Sequence, residues 1–347
     1  MRIFSETANR NNISIFRDIP THIEYCSGMP AIAHFSNGES SSLGCIGCTN
    51  PQCMRFAPNE IICDEVENFP NDQGLNVCAV DALHWDFETD TPVVDAEKCI
   101  NCGVCMRRCP VGAIYFDKTI KVNKTVTDQQ IRGSADSATS DLQTQQIEKL
   151  NSVKRSGVLI AESDELLESI YEKLSNIRSN YHNPIARNLL ISLGCKSAMR
   201  RIGDVYTRMD AVYSAADSSF GAVEVEFGRD TLDASRGILD DIAVLFTRYG
   251  IEKNSNLPLV ICLQLPNVRQ GYWQVVKDVN TVEEIAIGTL TIGAMLLLNW
   301  NGCLLMPDDV TYYLDYDNMD LRSVISWQID REIRISDRFL GILEPIK

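Results

Sequence analysis

Between Cys99 and Pro110 the chain reads Cys-Ile-Asn-Cys-Gly-Val-Cys-Met-Arg-Arg-Cys-Pro, and no other stretch limits the fold so tightly. Three cysteines at intervals of two residues, a fourth after three more and then a proline are spaced to wrap a short loop around a cubane of iron and sulfide. The thiolates must converge on a small centre, so the chain between them turns sharply, and Gly103 suits such a turn. In runs of this kind the fourth cysteine serves a different cluster, which predicts a second ligand set elsewhere.

A looser second set lies upstream. Cys45-Ile-Gly-Cys48 and Cys53 supply three thiols, and Cys78-Ala-Val-Asp-Ala-Leu echoes Cys109-Pro-Val-Gly-Ala-Ile position by position. A short aromatic segment follows each echo, His84-Trp85-Asp86-Phe87 in one copy and Tyr115-Phe116-Asp117 in the other. This is an internal repeat, stretched by an insertion between Cys53 and Cys78. A zinc ribbon would need two Cys-x2-Cys pairs set apart by a loop, which fits so many clustered cysteines poorly.

On these residues, Cys45 to about Lys124 resembles a bacterial two-cluster ferredoxin. The resemblance implies two 4Fe-4S clusters with crossed ligation, one on Cys45, Cys48, Cys53 and Cys109, the other on Cys99, Cys102, Cys105 and Cys78. The gap from Cys48 to Cys53 is longer than the family's, and no proline follows Cys78. Cys63, inside the insertion, is an alternative ligand in place of Cys78 or Cys53. Cys26 and His34 are further metal-ligand candidates, though a single Cys or His so placed more often simply packs.

Thirteen cysteines in 347 residues, an odd number concentrated in one region, argue for metal ligands in a reducing compartment and against a disulfide framework. The N-terminus has neither an apolar core nor a cleavage site, which gives a cytoplasmic expectation. A net charge of -15 disfavours broad attraction to nucleic acid or anionic membrane. Lys196, Arg200, Arg201 and Arg208 are the residues from which a local basic face would be built, with a solvated helix surface as the alternative. From Ile285 to Met306 there is no charge, but the run is broken by Gly, Thr and Asn, so a buried strand followed by a buried helix is expected and a membrane span is not.

The pattern divides the chain into 1–44, with short strand-like pieces; 45–124, the ferredoxin-like domain; 125–156, a linker rich in Thr, Gln, Asp and Ser; and 157–347, an α/β domain. In the ferredoxin-like part, strands are expected at 82–87, 92–95, 113–116 and 120–122. In the last part Ser163 starts an amphipathic helix with Leu166, Leu167, Ile170, Leu174 and Ile177 on one face. A second helix is expected from Pro184 to about Arg200. Strands follow at 209–214 and 222–227, then a helix at 230–249, a buried strand at 259–265 and a helix at 271–278. The fold class is α+β.

Glu224 and Glu226, two apart on a strand, share a face, and a neighbouring strand brings Asp210 towards them. Carboxylates so gathered make an oxygen-ligand site for Mg2+ or Mn2+. The element order and Val-Glu-Val-Glu-Phe-Gly make residues 184–280 similar to the PD-(D/E)xK restriction-endonuclease-like fold. The resemblance implies that Asp210 and Glu224 hold the metal, with Glu226 where lysine is more usual and Arg229 as a substitute positive charge. Two functions compete. One is a metal-dependent nuclease with Asp210, Glu224 and Glu226 as catalytic residues, joined to the clusters in a defence or repair assembly. The other is an electron-transfer subunit serving a partner enzyme, its last domain a docking platform. A nucleic-acid-binding sensor without catalysis is a third. No Gly-x-Gly-x-x-Gly follows a strand and there is no phosphate loop, so a self-contained nucleotide-dependent reductase is not expected.

Overall fold

The computed structural model describes residues 52–88, 91–109, 114–117, 119–122, 160, 163–228, 231–307, 312, 320–336 and 341–346. The strands expected in 1–44, the linker at 125–156, and Cys26, His34, Cys45, Cys48 and Arg229 lie outside the described residues. Of the described residues, 52–56, 76–122, 160 and 299–302 form one compact unit, and 57–75, 163–298 and 303–346 form the other. Helices and sheets are combined as in the α+β class.

In the first unit, β1 (Leu83–Asp86) pairs antiparallel with β2 (Thr91–Val94). A one-turn helix, α1 (Val104–Arg107), carries Cys105. After it β3 (Ile114–Asp117) pairs antiparallel with β4 (Thr119–Val122). Each hairpin follows one copy of the repeated cysteine segment. Alternation along the strands sorts the side chains: Leu83 and Trp85 are buried while His84 between them is exposed. Ile114, Phe116 and Ile120 are buried in the second hairpin, as are Ile100, Val104 and Met106 in and around the cysteine loop.

The second unit opens with α2 (Ser163–Ser175), whose Leu166, Leu167, Ile170 and Leu174 are buried as their spacing predicts. Next come α3 (His182–Ser192), β5 (Lys196–Met199), β6 (Ala211–Ser214), β7 (Phe220–Glu226), α4 (Leu232–Tyr249), β8 (Leu259–Cys262), α5 (Gly271–Glu283), β9 (Gly288–Thr291), α6 (Ile292–Trp300, of which Asn299 and Trp300 are counted with the first unit) and α7 (Leu321–Gln328). The five strands form one sheet in the order β5-β6-β7-β8-β9. Short connections make β5, β6 and β7 an antiparallel meander, while α4 and α5 supply the crossovers that parallel pairing of β7, β8 and β9 requires. The run Leu259-Val-Ile-Cys262 is fully buried, as befits a strand with parallel neighbours on both sides.

Two differences from expectation have local causes. The helix expected to run to Arg200 stops at Ser192, because Gly194 takes φ of 92° and Lys196–Met199 then pairs with β6. The insertion at 57–75 belongs to the second unit, with Asn71 bridged to Arg200 and the Lys196 ammonium 2.5 Å from Asp64 Oδ2. Arg187, itself buried, donates to the Gly74 carbonyl at 2.9 Å and lies 3.8 Å from Asp72. The uncharged segment after Ile285 is the expected strand and helix, β9 and α6. Among the described residues no helix is long and apolar enough to cross a membrane.

Two sites test the packing of this unit. A Cβ at Gly221 would sit 2.2 Å from the Leu257 carbonyl oxygen, so Gly221→Ala is expected to destabilise the unit by about 1–3 kcal/mol, the cost of overpacking, in denaturant unfolding. At the start of α2, Asp164 accepts from Arg331 at 2.6 and 3.0 Å and from the Arg334 amide at 2.6 Å. Burial pushes the Asp164 carboxyl up, but these donors outweigh it and hold the carboxyl below its usual range. A depressed carboxyl stabilises the fold above its unfolded pKa, near 3.9, and that contribution is lost as pH falls through the folded value. Arg331→Met is therefore expected to cost about 3 kcal/mol at neutral pH and less in acid, read as unfolding midpoints from pH 7 downwards.

Candidate functional site

Four thiols come together in the first unit. Burial pushes the Cys102 thiol up to about 12, and the nearby Cys78 and Cys99 add to the effect. Cys105 is raised well above its ordinary value by burial and then by Cys102, Cys99, Cys78 and Cys109. Groups that oppose one another's ionisation in this way are close neighbours. Iron resolves the conflict, since ligation offsets the cost of the thiolate charges. Backbone amides already point at sulfur: Ala82 N donates to Cys78 Sγ at 3.1 Å and Asn101 N to Cys99 Sγ at 3.4 Å. Such bonds favour the charged form and tune a cluster's potential.

Among the described residues no three Cys, His, Asp or Glu side chains stand at the spacing of ligands to one metal ion.

The loop holding these thiols is shaped by two left-handed residues, Asn101 at φ 55° and Gly103 at φ 78°. Asn101 Oδ1 accepts from the amide of Ile120, tying the loop to β4. Residues far along the chain grip the same loop. Asn299 Nδ2 donates to the Cys102 carbonyl at 2.9 Å, and Trp300 Nε1 to the Cys102 and Asn101 carbonyls at 3.0 and 3.2 Å. A Cβ at Gly103 would lie 3.1 Å from the Trp300 ring, so glycine serves both the turn and the approach of the indole. Arg107 is buried and donates to Asn299 O and Oδ1 at 3.4 Å and to the Gly302 carbonyl.

Of the other expected cluster ligands, Cys53 and Cys109 are buried. Arg108, stacked over Phe56 at 4.5 Å, donates to the carbonyl of Gln52 beside Cys53. Cys63 belongs to the second unit, where its thiol donates to the Val212 carbonyl and burial pushes it up to about 12. It packs there as a core thiol, while Cys78 is the residue that joins Cys99, Cys102 and Cys105.

In the second unit the carboxylates are only partly gathered as expected. Asp210 and Glu224 lie within electrostatic reach of each other. Asp210 is firmly held, Oδ1 by Asn183 Nδ2 at 2.8 Å and Oδ2 by the Val225 amide at 3.0 Å, with Arg200 3.6 Å away. Glu226 is engaged differently: its Oε1 accepts from the Gly228 amide at 2.5 Å, and His182, stacked on Phe227, is its charge neighbour. The residue that meets Glu224 is Asp241 of α4. Burial raises both carboxyls; the charges of Asp241 and Asp210 push Glu224 up further, whereas the hydrogen bond from Glu224 partly offsets the rise at Asp241. Asp241 is fully buried, and its hydrogen-bond partner is the Glu224 carboxyl.

The expected basic face is largely neutralised in place, Lys196 by Asp64, Arg200 by Asp210 and Arg208 by Asp240. Asp241, Asn183 and the Asn299–Trp300 pair are not apparent as site residues from the sequence. Asp241 does carry a signal, because it falls on the buried stripe of α4 between Ile238 and Leu245.

Comparison with known proteins bears on the first unit. Residues 92–115 match the family model described as a 4Fe-4S binding domain. The chain is 38% identical over 60 residues to an uncharacterized ferredoxin of Methanocaldococcus jannaschii, covering 17% of this chain and 36% of that protein. It is 42% identical over 43 residues to ferredoxin 7Fe of Hydrogenibacillus schlegelii, covering 12% of this chain and 53% of that protein. The chain thus spans less than two thirds of the length of these relatives. No solved structure matches it. With four thiols gathered around the matched segment, the chain is an iron-sulfur protein with a ferredoxin-type 4Fe-4S binding domain at residues 92–115.

Proposed function

We propose that this iron-sulfur protein binds two 4Fe-4S clusters and joins them to a metal-dependent nuclease-like unit acting on DNA, as part of a cytoplasmic defence or repair assembly. Cys78, Cys99, Cys102 and Cys105 hold one cluster, and Cys45, Cys48, Cys53 and Cys109 the other. The observation that carries the nuclease reading is the meeting of Asp210 and Glu224 on the meander β5-β6-β7 that leads through α4 into parallel β8. That order is similar to the core of the PD-(D/E)xK fold.

Hard carboxylate oxygens suit Mg2+ or Mn2+, and the partly uncompensated charge around Glu224 fits such a cation. A divalent ion held there supplies positive charge to a phosphodiester under attack. The chain's own contribution is orientation: Asn183 and the Val225 amide fix the two oxygens of Asp210, so the carboxylate is set before substrate arrives. Glu226 stands in the position where lysine is more usual, beside His182.

Electron transfer to a partner enzyme is the second reading. It is favoured by the thiol quartet and its amide donors, which suit a redox centre.

With clusters intact, the anaerobically purified protein is expected to cut DNA when Mg2+ or Mn2+ is added. Asp210→Asn and Glu224→Gln should each slow cleavage about 100-fold or more, the scale of losing a preorganised electrostatic contact, without changing cluster absorbance. Asp217→Ala, in the β6–β7 turn, should change little. If the wild type cleaves neither DNA nor RNA with either metal, the nuclease reading fails and electron transfer becomes the better account.

Iron analysis tests the clusters separately. About eight iron atoms per chain are expected, falling to about four in Cys102→Ser. Saturation of the wild type at four would remove the Cys45, Cys48, Cys53 and Cys109 site.

A further inference from the structure

Arg107 is only 3% exposed and belongs to the cysteine loop itself, between Cys105 and Cys109. The one-turn helix α1 fixes its backbone, the Arg107 amide donating to the Gly103 carbonyl at 2.9 Å. The guanidinium reaches Asn299, where Nη1 donates to the backbone and side-chain oxygens at 3.4 Å, and Nη2 donates to the Gly302 carbonyl at 3.5 Å. Asn299 in turn donates from Nδ2 to the Cys102 carbonyl at 2.9 Å. Its side-chain amide thus stands between a buried positive charge and the backbone of an expected cluster ligand. We propose that Arg107 is the buried counter-charge of the cluster held by Cys78, Cys99, Cys102 and Cys105 and raises its reduction potential, acting through its charge and through Asn299.

A 4Fe-4S cluster ligated by four thiolates is negatively charged, and reduction adds one further electron to it. A fixed positive charge nearby favours the reduced state more than the oxidised one, so it raises the potential. Position decides how strongly a cation acts. Arg107 is out of water, where screening is weak, whereas the side chain of Lys98, beside Cys99, is 60% exposed and pairs with Asp95 at 3.3 Å. Arg108, next in sequence, turns elsewhere, to the Gln52 carbonyl and the Phe56 ring. Donating to Asn299 Oδ1, Arg107 also polarises that amide and strengthens its bond to Cys102.

A purely structural role competes with this one. Asn299 and Gly302 lie at the C-terminal end of α6, where an arginine can cap the last carbonyls of a helix. Capping depends on the hydrogen bonds and gives no reason for the potential to follow the charge. The proposal needs neither DNA cleavage nor a partner enzyme, and it applies whether the chain holds one cluster or two.

The test is an anaerobic redox titration of the full chain, with dithionite as reductant and mediator dyes, read by EPR of the reduced cluster, with iron content measured alongside. If two waves appear, the relevant one is the wave missing from Cys102→Ser. Arg107→Met is expected to keep its iron and to lower that midpoint by at least about 59 mV, a tenfold change in the ratio of reduced to oxidised cluster for one electron. Arg107→Lys should recover at least half of the shift, and Lys98→Met should produce less than a third of it. Should Arg107→Met assemble no cluster, Arg107→Gln, which keeps an amide donor without the charge, takes its place. Iron lost from both neutral variants but retained in Arg107→Lys would uphold the counter-charge directly.

The proposal is overturned if a neutral variant with full iron keeps the wild-type midpoint, or if Lys98→Met shifts it as far as Arg107→Met does. Loss of iron from the Met, Gln and Lys variants alike would overturn it too, because the arginine would then serve by shape and hydrogen bonding. So would a wild-type cluster that dithionite fails to reduce.

Discussion

Everything in the first unit depends on the cost of ionising several cysteines in one dry place. Desolvation pushes the Cys102 and Cys105 thiols up, and the neighbouring cysteines push them further. Iron and sulfide reverse that balance, because metal ligation requires the thiolates that the pocket otherwise resists. The loop is therefore shaped for a guest, with left-handed residues at Asn101 and Gly103 and amide donors aimed at Cys78 and Cys99. Asn299 and Trp300 satisfy the carbonyls that this turning backbone leaves exposed, so the loop does not need solvent to do so.

The second unit repeats the logic with oxygen in place of sulfur. Half-buried Glu224 and fully buried Asp241 share a hydrogen bond, and Asp210 adds a further like charge beside them. In both units the folded chain holds like charges closer than it would for stability alone. Such concentrations of strain are where functional sites are usually found, and a positive guest is the common remedy. Contrast the Asp164–Arg331 contact, where a buried carboxylate has its counter-ion within the chain and serves the fold alone.

What is legible in the sequence is local. The cysteine spacing identifies the cluster loop because ligands of one cubane lie within a few residues of each other, and Cys78 is recognisable because its surroundings echo those of Cys109. The two hairpins and the buried run Leu259-Val-Ile-Cys262 follow from alternation and continuity of apolar residues. Strand β5 is hidden because Lys196-Ser-Ala-Met extends the apolar pattern of α3, and Gly194 is the one residue that breaks it. The Asn299 and Trp300 contacts join positions nearly two hundred apart, beyond any periodicity. Asp241 is masked because two consecutive aspartates on a helix look solvated, although only Asp240 stays exposed.

Cys78, carried by the first copy of the repeat, is on this account the residue that completes the cluster of the second copy, while Cys63 plays no part. Reconstituting Cys78→Ser and Cys63→Ser side by side, and recording iron content with the EPR spectrum after reduction, tests that assignment. Cys78→Ser is predicted to lose or alter one cluster signal, the same one that changes in Cys99→Ser, and Cys63→Ser to match the wild type in both measurements. A Cys63→Ser protein lacking a cluster, or a Cys78→Ser protein with the full iron content and an unchanged spectrum, would contradict it.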